Sequence, residues 1–383
     1  MRLIRMIAVI LCIAMLTFMD LSVQTKALSE KEITAPSAVL MDAKSGKVLF
    51  EKNAHEIRAC ASITKVMTLI LVMEAIDSGK LRWEDTVTAS AHAASMGGSD
   101  IWLEAGETMT VDEMVKATIV ASANDAAVAL AEKVSGSEEA FVSAMNQKAK
   151  TLGMKETVFK NCNGLDEEGH VTSAYDVALM SRELLRHPKI LSYSGIWMDE
   201  LRNGKTQLVN TNKLLKSYEG ITGLKTGTTS QAGSCISATA ERDGLSLIAV
   251  VLGSATGTDR FKDAAKVLDH GFAGYGMYLP EMPKEAEREL TVTNGMESIV
   301  RTECHADEKI LIEKGSASDI KAEVYLPEKT EAPVEKGEVI GKLIYKSGGK
   351  QIAEYPIAAA DPIKEINFRD VANLFLKSMS DQP

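Results

Sequence analysis

The chain has 383 residues, long enough for two domains and a substantial buried core. Its formal charge of −10 excludes the basic footprint of a nucleic-acid binder. Its six histidines are scattered and no cysteines form a C-x-x-C pair, so a metal site is not expected.

At the N-terminus, Arg2 and Arg5 precede an uncharged apolar run from Met6 to Met19. Residues 1–27 read as an export signal ending in Gln24-Thr25-Lys26-Ala27, with cleavage after Ala27. This places the mature chain in the cell envelope, on the outer face of the cytoplasmic membrane or secreted. The alternative is an uncleaved anchor, although the run is short for a spanning helix. Cys12 leaves with the signal, and Cys60, Cys162, Cys235 and Cys304 remain. An even number of cysteines in an exported chain permits disulfides. Cys60 and Cys235 are a candidate pair, with two buried free thiols as the alternative.

Ala38–Asp42 and Val48–Phe50 are apolar runs around a Ser-Gly turn, the pattern of a β-hairpin. Ser62 to Asp77 is helical in character and has almost no polar face, as expected of a helix buried on all sides. Val111–Val134, Phe141–Leu152 and Tyr175–Leu185 are further helical stretches. Strand patterns return at Ile221–Thr228, Ser234–Ala240 and Leu245–Leu252, before a helix over Asp259–Gly271. Strands at both ends of a helical middle predict an α+β unit over residues 36–280, with early and late strands in one sheet.

Pro280 and Pro283 mark a break. Beyond them lie short alternating runs at Leu290–Thr293, Ser298–Thr302, Ile310–Ile312, Ile320–Leu326, Val339–Tyr345 and Gln351–Ile357. They predict a small all-β domain over 284–361. A tail over 363–383 follows. In it Ile366, Phe368, Val371, Leu374, Phe375 and Met379 recur at helical spacing, opposite Arg369, Asp370, Asn373 and Lys377. Such a helix over 366–379 suits peripheral contact with a membrane surface, or packing on its own domain.

Three short motifs carry the chemistry. Ser62-Ile63-Thr64-Lys65 puts a hydroxyl and an amine one helical turn apart on the same face. A serine becomes a nucleophile only when a base accepts its proton, and a lysine desolvated by the buried helix is such a base. The alternative is an ordinary N-cap serine and a solvated lysine. Ser122-Ala123-Asn124 interrupts a helix-rich stretch. From a short loop Ser122 can relay a proton and Asn124 can bind a substrate amide, unless both simply cap the next helix. Lys225-Thr226-Gly227-Thr228 lies on a predicted strand. There Lys225, Thr226 and Thr228 can bind a carboxylate, while Gly227 leaves room for an extended peptide backbone. Arg260 is a candidate second cation for that carboxylate, or a solvated helix residue.

In this order the motifs resemble the Ser-x-x-Lys, Ser-Asp-Asn and Lys-Thr-Gly set of penicillin-binding proteins and class A β-lactamases. The wider sequence is similar to the low-molecular-mass penicillin-binding proteins, the D-alanyl-D-alanine carboxypeptidases. The similarity runs from Ser37 past Arg260, through Leu40–Leu49, Ala61–Thr68, Glu104–Glu107, Ser122–Ala127, Asn163–Asp166, Asn210–Leu215 and Gly223–Gly227. Cys60 and Cys162 depart from it, standing where proline is common.

The resemblance implies a penicillin-recognising serine transpeptidase/β-lactamase-like domain followed by a β-rich one. It implies Ser62 as the acylated nucleophile, Lys65 as its base and Ser122 as relay. Asn124, Lys225, Thr226, Thr228 and Arg260 would bind substrate, and the backbone N–H groups of Ser62 and Thr228 would form an oxyanion hole. The implied partners are peptidoglycan stem peptides, whose terminal D-alanine would be removed, and β-lactams as covalent inhibitors. A class A β-lactamase is the first rival, but no Glu-x-x-x-Asn lies between Ser122 and Lys225. A DD-endopeptidase or transpeptidase, and a non-catalytic binding module on the same fold, are the others.

Overall fold

The computed structural model describes residues 28–380, with the backbone alone for Leu374, Phe375, Lys377, Ser378 and Ser380. The export signal expected over residues 1–27, with Cys12, lies outside the described residues. The described chain divides into two compact units, residues 28–273 and 274–380.

The first unit is built on a five-stranded antiparallel sheet. Its strands are β1 (Ser37–Asp42), β2 (Val48–Lys52), β3 (Ile221–Thr229), β4 (Gly233–Arg242) and β5 (Leu245–Ser254), in the spatial order β2-β1-β5-β4-β3. The first hairpin thus pairs with the last through β1 and β5, with Leu40 opposite Ala249. β1 and β5 are nearly all apolar because both faces of the sheet are covered. Val39, Met41, Ile248 and Val250 join the helical core on one side. On the other, Leu40 and Leu247 face helix α5 (Gly257–Gly274), where a Cβ on Gly271 would come within 2.8 Å of both leucines.

Helix α1 (Lys65–Asp77) runs through the middle of the first core. Val66, Met67, Leu69, Ile70 and Val72 are fully buried along it, as its sequence predicts. Each such side chain contributes about 1.5–3 kcal/mol of transfer free energy. Around it stand α2 (Asn124–Ser135), α3 (Glu138–Thr151) and α4 (Ala174–Leu184). Ser137 and Ser173 cap α3 and α4 by accepting from the N–H of Ala140 and Asp176. The helical stretch expected over Val111–Val134 is divided. An α-turn over Val111–Lys116 widens into a π-turn over Ala117–Ala121, and Ser122 ends it in the left-handed region (φ 63°).

The second unit is a twisted set of strands: β6 (Tyr275–Tyr278), β7 (Glu289–Thr293), β8 (Ile299–Cys304), β9 (Ile310–Glu313), β10 (Ile320–Tyr325), β11 (Lys329–Glu331), β12 (Val339–Ser347) and β13 (Lys350–Ala359). Six form one sheet in the order β10-β12-β13-β8-β7-β11, and β6 pairs with β9. Leu343, Tyr345 and Ile357 fill one small core, and Leu290, Val300 and Ile363 another. The last helix, α6 (Phe368–Ser380), starts two residues later than its apolar stripe suggests. Asn367 sets the start, its Oδ1 accepting from the N–H of Arg369 and Asp370. Phe368, Val371, Leu376 and Met379 are exposed on this helix. Among the described residues no helix is long and apolar enough to cross a membrane.

Candidate active site

Ser62 sits on a 3₁₀ turn over Ala61–Thr64 that leads directly into α1. Ala61 enters the turn at φ 51°, a left-handed conformation that residues with a Cβ avoid. The turn is clamped from two sides by glycines. A Cβ on Gly164 would lie 2.0 Å from the Ala61 carbonyl oxygen. One on Gly227 would lie 2.6 Å from the Cys60 carbonyl oxygen and 2.9 Å from the Ser62 nitrogen. Gly227 was expected to make room for a peptide; the structure shows that it first makes room for the serine turn.

Lys65 is fully buried, and its Nζ lies 3.0 Å from Ser62 Oγ while donating to Asn124 Oδ1 (2.5 Å) and the Asn163 carbonyl (2.6 Å). Burial pushes its pKa down from 10.5 to about 7, against the opposing pull of Cys162 and Asp125. The geometry settles what the neutral amine can do. Asn124 Oδ1 and the Asn163 carbonyl can only accept, so they hold the two remaining N–H bonds. The lone pair is left facing the Ser62 hydroxyl.

Ser122 and Lys225 form the second half of the cleft. Lys225 Nζ donates to Ser122 Oγ (2.9 Å) and to the Thr226 carbonyl (3.0 Å). Burial, reinforced by the charges of Lys65 and Arg260, holds Lys225 well below the usual lysine range. β3 presents Lys225 opposite Ser237 of β4, and Gly227 opposite Cys235. Thr226 Oγ1 shares a hydrogen bond with Thr211 Oγ1 (2.5 Å).

Asn124 is fully engaged within the protein. Beyond its bond to Lys65, its Nδ2 donates to the Gly97 carbonyl (2.6 Å) and its backbone N–H to that of Ser99 (2.7 Å). Arg260 is buried, and its Nη1 donates to the Gly227 carbonyl (2.9 Å), Thr228 Oγ1 (2.8 Å) and the Cys235 carbonyl (3.3 Å). It therefore braces the end of β3 beside Thr228 rather than standing on a solvated helix face.

The candidate disulfide is absent: Cys60, Cys162, Cys235 and Cys304 are all free and buried. Each of the two thiols has its own partners. Cys60 Sγ lies 3.5 Å from Thr64 Oγ1, whereas Cys235 Sγ donates to the Ala232 carbonyl (3.3 Å). Burial raises Cys60 to about 12 and Cys235 to about 11, which keeps both protonated and unreactive.

Several contributors were not recognised in the sequence as site residues. Asn163 acts through a backbone carbonyl that any residue could present. Asp125 lies next to Asn124, and its carboxylate accepts from the N–H of Ile101 (3.1 Å) and Leu103 (3.0 Å), pinning the loop that Asn124 also holds. His170 buttresses the serine turn from behind. Lys160 N–H donates to its Nδ1, so Nε2 carries the proton and donates to Thr64 Oγ1 (2.8 Å). Burial lowers the His170 pKa to about 4 and keeps this tautomer neutral.

Comparison with known proteins identifies the family. Residues 24–256 match the family model described as D-alanyl-D-alanine carboxypeptidase, and residues 283–365 match that of the penicillin-binding protein 5 C-terminal domain. The chain is 44% identical to the Bacillus subtilis D-alanyl-D-alanine carboxypeptidase DacF, over 90% of this chain and 89% of that protein. Penicillin-binding protein 5 from Haemophilus influenzae superposes with a TM-score of 0.77 at 33% identity, over 88% of this chain and all of that one. Penicillin-binding protein D2 from Listeria monocytogenes, solved in its ampicillin-bound form, matches 64% of this chain and all of its own at 34% identity, with a TM-score of 0.56. With a matching family model over most of its length and relatives of that name aligned over nearly all of theirs, the chain belongs to the D-alanyl-D-alanine carboxypeptidase family, serine peptidases of cell-wall metabolism.

Proposed function

We propose that Ser62 is the nucleophile of this carboxypeptidase and Lys65 its base. The observation that carries the reading is the buried Lys65 amine, 3.0 Å from Ser62 Oγ, with its other N–H bonds held by Asn124 and Asn163. The neutral amine takes the hydroxyl proton as Oγ attacks the carbonyl carbon of the penultimate D-alanine of a peptidoglycan pentapeptide. The backbone N–H groups of Ser62 and Thr228 bind the resulting oxyanion, each such donor contributing about 3 kcal/mol in the transition state. The proton then passes to the departing D-alanine amine through Ser122, which Lys225 orients at 2.9 Å. Water hydrolyses the Ser62 ester and restores the hydroxyl.

Lys225, Thr226 and Thr228 bind the terminal carboxylate, and Arg260 supports that strand end through Thr228. Asn124 orients Lys65 and meets the substrate amide by exchanging its bond to Gly97. β-Lactams acylate Ser62 because their ring amide occupies the position of the scissile peptide bond; the ampicillin-bound Listeria relative supports this. Residues 1–27 direct export and residues 36–280 carry the chemistry. The 284–361 domain acts as a spacer. The tail, with Phe368, Val371, Leu376 and Met379 exposed, rests on the membrane surface.

The test is product analysis. Incubation with an acyl-D-alanyl-D-alanine peptide is expected to release one D-alanine per chain cleaved. Transfer of the acyl group to an added amine, without net hydrolysis, would favour a transpeptidase instead. For the tail, truncation after Pro362 is expected to reduce sedimentation with anionic vesicles. Failure of the full-length, signal-cleaved protein to sediment at low salt would reject that contact.

A further inference from the structure

Trp102 stands on the loop that Asn124 holds through Gly97 and Ser99, and nothing in the reaction described above uses it. The indole is 77% exposed. The other two tryptophans are partly buried and engaged: Trp83 stacks on Tyr193 at 5.7 Å, and Lys216 lies over Trp197 at 4.9 Å. Among the described residues, no ring or cation contact meets Trp102.

Its backbone, by contrast, is tightly held. The neighbouring Ile101 and Leu103 N–H groups both donate to the buried Asp125 carboxylate. Arg202 Nη1 donates to the Ile101 carbonyl (2.8 Å) while its Nε donates to Glu107 (2.7 Å). Closing two N–H groups around one carboxylate puts Trp102 at φ 53°. Glycine or asparagine would accept that conformation more readily than tryptophan. Among the described residues, no ring or cation contact of the indole offsets this unfavourable backbone. Rigid exposed aromatics of this kind mark contact surfaces.

The loop is also tied to the reaction centre. Asn124, which bonds to Lys65, holds Gly97 and Ser99 of the same loop, and a Cβ on Gly98 would lie 2.9 Å from Asn124 Nδ2. Ile101 and Leu103 are buried on either side of Trp102, which is turned out to solvent. Asp100 and Glu104 lie close by in sequence. Their charges disfavour an anionic partner such as a phospholipid surface, and their oxygens accept hydrogen bonds from hydroxyl groups. A flat apolar ring on a loop that also carries two acidic residues suits a neutral, hydroxyl-rich ring whose C–H face can lie on the indole.

We propose that Trp102 is a sugar-stacking platform that holds the glycan part of the cell-wall substrate while its stem peptide occupies the cleft. This rests on the peptidoglycan reading of the reaction. Trp102→Gly relieves the left-handed backbone, so its melting temperature is expected to equal or exceed the parent's. The measured quantity is the ratio of kcat/KM for a disaccharide-linked pentapeptide to that for the sugar-free pentapeptide. It is expected to exceed one in the parent and to fall about three- to tenfold in Trp102→Gly, through KM. A ratio unchanged by the substitution, or a parent with no preference, overturns the proposal. Tryptophan fluorescence with peptide-free glycan chains provides a readout independent of turnover. Quenching in the parent that is lost in Trp102→Gly supports the platform even if the reaction reading fails; equal quenching in both proteins rejects it.

Discussion

The two units of this protein treat polar groups in opposite ways. In residues 28–273 the interior holds Lys65, Ser122, Asn124, Asp125, Asn163, His170, Lys225 and Arg260, all buried. In residues 274–380 the buried side chains with a hydroxyl, amide or charge among the described residues are Thr302 and Tyr345. Burying a charge or an amide is costly unless partners compensate. The first unit supplies them by bonding each of these groups to a backbone carbonyl, a backbone N–H or a neighbouring side chain. The second unit supplies strand alternation and two small apolar cores. The contrast locates chemistry: a protein keeps lysines out of water where their lowered pKa is used.

The largest expected effect is at Ser62. Ser62→Ala should reduce D-alanine release by on the order of a millionfold while the fold remains. Lys65→Ala should slow acylation by about 10²–10⁴ at every substrate level, because proton transfer itself is lost. Lys225→Ala should raise KM as well as lower kcat, since Lys225 bonds Ser122 and, in the proposed reaction, also binds the terminal carboxylate. Stopped-flow acylation with a chromogenic β-lactam separates these two outcomes. Parent-like acylation in Lys65→Ala would require a different base.

The pH profile sharpens the same contrast. In the proposed reaction Lys65 acts as a neutral amine, and burial lowers its pKa to about 7. The fraction able to accept a proton therefore falls as pH drops through 7. Acylation should be about tenfold slower at pH 6 than on the alkaline plateau. A rate that is flat from pH 5 to 9 would contradict this. The smallest effect belongs to the second unit. Thr302 Oγ1 accepts from Arg288 N–H (2.9 Å) and donates toward the Ala286 and Arg288 carbonyls. Thr302→Val should destabilise by about 1–3 kcal/mol in thermal unfolding and leave peptide turnover unchanged.

Much of this was legible from residue patterns. The serine, the lysine one turn later, the all-apolar α1 and the alternating strands after Pro283 are local signals, and the structure contains them. The same holds for the resemblance, because its motifs are short and contiguous. What was not legible depends on long-range partners. Asn163 contributes a carbonyl 98 residues from Lys65, and His170 reaches Thr64 across 106 residues. Arg260 could be read as a solvated helix residue until β3 was seen beneath it. The Cys60–Cys235 bridge failed for the same reason: proximity to one motif does not fix where a thiol points.

The most direct test is to treat the protein with penicillin and map the adduct by mass spectrometry. One covalent adduct is expected, on the peptide carrying Ser62, and none in Ser62→Ala. An adduct on another residue, or one that persists in Ser62→Ala, would contradict the assignment of Ser62 as the nucleophile.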